Sequence, residues 1–239
     1  MSNMIAILRK ELRSYFVSPV AYVVIAAFLV MAGVFFAILV MAPAGTAEAS
    51  LSIVFSNVAV ILLIVAPALT MRLLAEEQKS GTVELLLTSP VQDWEVVLGK
   101  YFASLVLFFV PVALTLIYPL VLKRYGTPDA GPIIGGYVGL ILFGAAFLAV
   151  GMLATSLTQN QVVAALVAVV VLLGLWLIGA FASSARPPVS TVLSYLSVIS
   201  HYSEFSRGMI DTRDVVYYLS TIAIALFLSV RALESRRWT

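Results

Sequence analysis

The sequence predicts an all-α, polytopic membrane protein. Its parts are six transmembrane helices, an N-terminal interfacial amphipathic helix, and a partly inserted outer segment before the last span. Three observations carry this. Of the 239 residues, 62% are hydrophobic and only 11% charged, with a mean hydropathy of +1.08, whereas soluble domains carry about 25% charged residues. The charges are also clustered: none falls in 14–47, 49–71, 101–122, 130–185 or 215–230. Finally, these apolar runs are continuous rather than alternating. Lipid admits only helices and closed barrels, a helical crossing needs about 20 apolar residues, and continuous runs select the helix.

Residues 4–16 precede the first run. Met4, Ile5, Leu8, Leu12, Tyr15 and Phe16 share one helical face, and Arg9, Lys10, Glu11 and Arg13 the other. That pattern suits a helix lying in the membrane interface with its basic face toward anionic headgroups. Ser18-Pro19 then starts a new helix, because proline is tolerated in a first turn and disfavours helix in the residue before it. Span 1 is predicted at about 20–41. Its length exceeds a signal-peptide core, so the cleavage-like Ala42-Pro43-Ala44 is expected to stay uncut. Span 2 follows at 51–71 with Pro67 near its end, and span 3 at 96–122 with Pro111 and Pro119 inside.

The run 133–184 is too long for one crossing. It divides at Thr155-Ser156-Leu157-Thr158-Gln159-Asn160-Gln161, whose hydroxyls and amides are costly in hydrocarbon, giving span 4 at 133–155 and span 5 at 162–182. Span 4 carries Gly135 and Gly139, then Ala145 and Ala149, at spacings that allow close helix approach. Packing within the chain is the expectation, with a subunit interface as the alternative. Residues 187–213 combine Val189, Val192, Leu193, Leu196 and Ile199 with Ser190, Ser194, Ser197 and Ser200. This is too polar to span and too apolar for a solvated loop, so one partly inserted helix is predicted. A short span 6 at 214–230 completes the set, with Arg231 placed to snorkel.

Lys and Arg in short loops set orientation. Nine of the 14 fall on one side (Arg9, Lys10, Arg13, Arg72, Lys79, Lys100, Arg231, Arg236, Arg237) and five on the other (Lys123, Arg124, Arg186, Arg207, Arg213). Both termini are therefore expected in the cytoplasm, with loops 43–50, 123–132 and 183–213 facing outward.

Catalysis finds little support. The lone histidine, His201, belongs to the outer segment and reads as structural or interfacial. There is no Ser-His-Asp set, no metal-ligand cluster and no cysteine. No ionisable residue is expected at mid-membrane depth, which disfavours a proton-coupled carrier. Gly99-Lys100 is not a phosphate loop, since Tyr101 replaces the required Ser/Thr. The chain is thus expected to be no enzyme and to hold no cofactor, so nucleotide energy must come from another polypeptide.

The stretch Arg72–Lys100 (RLLAEEQKSGTVELLLTSPVQDWEVVLGK) holds five of the 12 acidic residues. Gly81 is expected to break a helix continuing from span 2, Thr82 to cap the next, and Glu84 to favour its positive end. Val83, Leu86 and Leu87 would form the apolar face of a two-turn helix, which is unstable alone in water and needs a partner. Ser89-Pro90-Val91-Gln92 reads as a capping box opening the helix of span 3.

These residues closely resemble the signature of ABC-2 type permeases, a likeness that extends over essentially the whole chain. Ser156-Leu-Thr-x-Asn-Gln161, His201-Tyr202 and Ser206-Arg207-Gly208-x-Ile210-Asp211-Thr212-Arg213-Asp214 resemble the gliding-motility-associated subgroup, a label that does not itself establish gliding. The resemblance implies one transmembrane domain over 1–239 in the bacterial inner membrane, with 72–95 as the cytoplasmic coupling segment. It implies a separate ABC ATPase that binds ATP and Mg, a second permease copy or paralogue forming a dimer, contact with membrane lipid, room for a periplasmic or membrane auxiliary subunit, and no nucleic acid. Export is the implied direction. Glu76, Glu77, Gly81, Thr82, Val83, Glu84, Leu86 and Leu87 are the expected coupling residues. The uncharged spans favour a lipid, a hydrophobic compound or a lipid-linked chain as cargo, or contact limited to the outer segment. The rival reading is a non-transport anchor for a motility or secretion complex, which needs no ATP-driven movement.

Overall fold

A computed structural model describes residues 2–41, 51–79, 91–125 and 128–236. Among them are eleven helices: α1 (Ser2–Val17), α2 (Pro19–Met41), α3 (Ser52–Thr70), α4 (Ala75–Lys79), α5 (Asp93–Leu114), α6 (Ile117–Tyr125), α7 (Ala130–Leu157), α8 (Gln161–Ser184), α9 (Val189–Leu196), α10 (Val198–Ser206) and α11 (Thr212–Arg236). Six helical stretches are long and apolar enough to cross a membrane. The protein is an all-α, polytopic membrane protein.

α7 is the central post. It packs against α3, α5, α8, α10 and α11, and 72% of its most apolar window is buried, against 17% for α2 and α8 at the periphery. Lipid tails are as apolar as leucine, so burial supplies little drive between spans, and close van der Waals fit takes over. Gly135 and Gly139 show how. A Cβ on Gly135 would lie 2.6 Å from the Phe205 carbonyl oxygen, and one on Gly139 would lie 2.5 Å from Phe205 Cβ. The small-residue face of span 4 therefore seats α10 of the same chain. Phe205 itself is fully buried, beside Tyr218 and close to the Phe143–Tyr202 pair.

Several sequence expectations need correction. Span 3, expected at 96–122, falls within one crossing stretch, Asp93–Arg124, but is built of two helices: α5 ends at Leu114 and α6 starts at Ile117. Pro119 lacks an N–H and its ring crowds the carbonyl four residues back, which is that of Thr115. That carbonyl accepts instead from the Tyr118 amide at 2.9 Å and from the Tyr137 hydroxyl at 2.7 Å. The segment 187–213 forms two helices, not one. Ser197 stands at the break and its hydroxyl accepts from the Ser200 amide at 3.3 Å, capping α10. The last helix runs past 230 to Arg236, where Leu233 is buried and Arg231 donates to Glu234 at 2.6 Å.

His201 is structural. Its Nε2 lies 2.9 Å from the Tyr195 carbonyl oxygen, which can only accept, so Nε2 carries a proton. Nδ1 lies 2.6 Å from Asp214 Oδ1, and the ring stacks on Tyr217 at 4.0 Å. These contacts tie α9 and α10 to the first turn of α11.

Gly139→Ala tests the packing. It is expected to cost about 1–3 kcal/mol in detergent unfolding, because Phe205 cannot retreat from the core. Gly174→Ala, where a Cβ meets nothing within 4 Å, is expected to change stability by less than about 0.5 kcal/mol.

Candidate functional site

At the end of the bundle that carries the N-terminus, five parts of the chain converge: α1, residues 71–79, the start of α5, the end of α7 and the end of α11. Their apolar residues form a second cluster, separate from the main core: Ile7, Leu73, Leu74, Val96, Val97, Met152 and Leu233.

The polar half of the junction centres on Lys100, in the second turn of α5 and only 2% exposed. Its Nζ contacts Glu11 Oε1 on α1 at 2.7 Å and Glu77 Oε2 on α4 at 3.0 Å. Glu77 Oε1 in turn accepts from Lys10 Nζ at 2.9 Å. Two cations and two carboxylates thus close a balanced cluster drawn from three helices. The Glu77 hydrogen bond raises the Lys10 pKa above its ordinary 10.5. This small contribution is therefore complete at neutral pH and is lost only as pH rises through that raised value.

Gly99 admits α1 to this contact. A Cβ there would lie 3.0 Å from both the Met4 carbonyl oxygen and Ile7 Cγ2, so α1 rests directly on the backbone of α5. The faces of α1 differ from the expectation: Ile7 is buried, Glu11 points inward, and Ile5 and Phe16 are exposed. The driving feature is Lys100, whose charge needs carboxylates and draws Glu11 off the solvated face. Asn3 adds a bond to Glu95 at 3.2 Å, and Tyr15 donates to the Leu69 carbonyl at 2.8 Å. Burial pushes the Tyr15 phenol above its ordinary range, which keeps that donor protonated.

The end of α7 clamps the other side. Thr155 and Ser156 are buried within the helix rather than in a solvated hairpin. Thr155 Oγ1 accepts from the Leu74 and Ala75 amides at 3.4 and 3.0 Å and lies 3.3 Å from the Met71 carbonyl oxygen. Gln78 donates to the Ser156 carbonyl at 3.3 Å. The helix of span 2 therefore does not extend to Gly81. It stops at Thr70, and α4 starts afresh where Thr155 satisfies its orphan N–H groups. At α5 the N-cap is Gln92, where Glu95 reaches back to the Gln92 amide at 3.2 Å; Ser89 lies outside the described residues.

Comparison with known proteins bears on what this junction serves. The family profile described as "ABC-2 family transporter protein" matches residues 20–230. The chain belongs to the ABC-2 transporter family. Over 157 residues this permease is 24% identical to proteins named "Probable multidrug ABC transporter permease YbhR" from Escherichia coli strains K12 and O157:H7. The match covers 65% of this chain and 42% of each relative, so it spans less than half the length of those curated proteins.

Among the residues expected to couple the permease to an ATPase, Glu76 is exposed on α4 and Glu77 turns inward to Lys100 and Lys10. Gly81, Thr82, Val83, Glu84, Leu86 and Leu87 lie outside the described residues. Sequence reasoning missed Lys100, Glu11, Lys10 and Thr155. Lys100 alone left a signal: a cation placed at the start of an apolar run requires an acidic partner.

Removing one partner of a buried ionic cluster costs about 3–5 kcal/mol. Lys100→Met is expected to destabilise the permease in that range in detergent unfolding. Adding Glu77→Gln is expected to cost less than it does alone, with a coupling of about 1 kcal/mol or more.

Proposed function

We propose that this permease is the membrane-spanning subunit through which a separate cytoplasmic ATPase drives substrate out across the bacterial inner membrane. ATP and Mg belong to that partner, which acts on residues 72–95. Two permease copies, or this chain and a paralogue, form the transporting pair, and both termini face the cytoplasm. Kinship with the gliding-motility-associated subgroup, supported by the His201–Asp214 stretch, belongs to the same reading.

The observation that carries it is the junction around Lys100. The segment between spans 2 and 3 is tied through Glu77 to α5, and both are tied to α1. A displacement of that segment thus reaches span 3 and the N-terminal helix together, and the Thr155 clamp passes it to the central post α7. Buried ionic contacts of this kind have few intermediate geometries, which suits a rigid lever.

The test is ATPase binding and permease-stimulated turnover in proteoliposomes containing the copurifying ATPase. Glu84→Lys and Gly81→Pro are each expected to reduce stimulated turnover about tenfold or more, as loss of a docked charge or turn does at an interface. Unchanged values for both variants would remove the coupling assignment.

A further inference from the structure

A niche opens at the junction of α1, α2 and α3, lined by Tyr15, Ser18, Val20, Ala21, Ala68 and Arg72, among others. Arg72 is a signature residue of the coupling stretch, yet it joins neither the Lys100 cluster nor any other ion pair among the described residues. Its Nε is buried and has no hydrogen-bond partner. A buried guanidinium N–H without an acceptor is costly, and guanidinium is shaped for bidentate contact with phosphate or carboxylate oxygens.

The surroundings indicate which anion. Pro19 begins span 1 and Thr70 ends α3, so the niche lies where hydrocarbon gives way to headgroups. Beside it Phe16, Val17, Tyr22 and Val23 are exposed apolar residues, with Val17 76% exposed. Ser18 supplies a hydroxyl, and the first turn of α2 is the positive end of that helix. Val20 and Ala68 give the niche apolar walls. On α1, Arg9 and Arg13 face outward, which favours an anionic leaflet surface.

We propose that this niche binds the headgroup phosphate of an anionic phospholipid from the leaflet on the side of the termini. Arg72 is the cation, Ser18 a second donor, and Val20 and Ala68 the wall along which an acyl chain leaves. The lipid holds the α1–α2 elbow against the end of α3, next to the stretch that meets the ATPase.

The test is native mass spectrometry of the purified full chain with three probes: phosphatidylglycerol, phosphatidylcholine and soluble glycerol phosphate. The wild type is expected to retain phosphatidylglycerol about tenfold better than phosphatidylcholine, the scale of one charge-assisted hydrogen-bonded site, and soluble glycerol phosphate in excess is expected not to displace it. Arg72→Gln is expected to abolish the preference, and Arg13→Gln, on the exposed face of α1, to keep it. Val20→Trp fills the niche while leaving Arg72 in place, and is also expected to abolish it, so the test stands if Arg72→Gln fails to fold. Retained preference in folded Arg72→Gln or Val20→Trp would overturn the site. An equal loss in Arg13→Gln would show general surface charge instead, and displacement by glycerol phosphate would show a soluble phosphate rather than a lipid.

Discussion

A single ammonium group organises the end of this molecule where the chain leaves the membrane between spans 2 and 3. Lys100 is almost wholly removed from solvent, and an isolated buried charge costs several kcal/mol. Glu11 and Glu77 offset that cost only if α1 and α4 lie against the first turns of α5. Gly99, one residue earlier, is what lets α1 come that close. The arrangement links segments 89 and 23 positions from Lys100 in sequence, and everything attached to them follows. In the function proposed above, α4 and the start of α5 lie in the segment on which the ATPase acts.

Inside the membrane a different physics applies. Spans are held by fit and by satisfied polar groups rather than by exclusion of water. Phe205 sits over Gly135 and Gly139, Tyr137 donates to the Thr115 carbonyl at the break before Pro119, and Tyr202 donates to the Phe55 carbonyl at 3.0 Å. The outer helices α9 and α10 are thereby part of the body and not appendages to it. The outward faces of α2 and α8 remain apolar and exposed, as surfaces meeting lipid or a second copy would be.

Much of this architecture was legible in the sequence because its signals are long-range in composition and short-range in geometry. Runs of twenty apolar residues fix spans almost irrespective of partners, and six were readable. Features decided by one contact were not. The break at Thr115 needed the effect of Pro119 to be placed four residues back. The end of span 2 at Thr70 depends on Thr155, a residue 85 positions away whose polarity first suggests a loop. Glu11 shares the charged face of α1 by helical spacing, and only the charge of Lys100 explains why it turns inward. The family signature spans both Glu76 and Glu77, yet it does not distinguish Glu77, which holds the junction together, from Glu76, which faces solvent.

The central claim is that Lys100 makes α1, α4 and α5 one mechanical unit. Because the chain contains no cysteine, spin labels at Arg9→Cys and Glu76→Cys, both solvent-facing, report the α1–α4 separation directly by pulsed electron paramagnetic resonance in lipid. The account predicts one narrow distance distribution in the otherwise native protein and a broad or shifted one when Lys100→Met is added. A distribution that stays narrow and unmoved with Lys100→Met would contradict it.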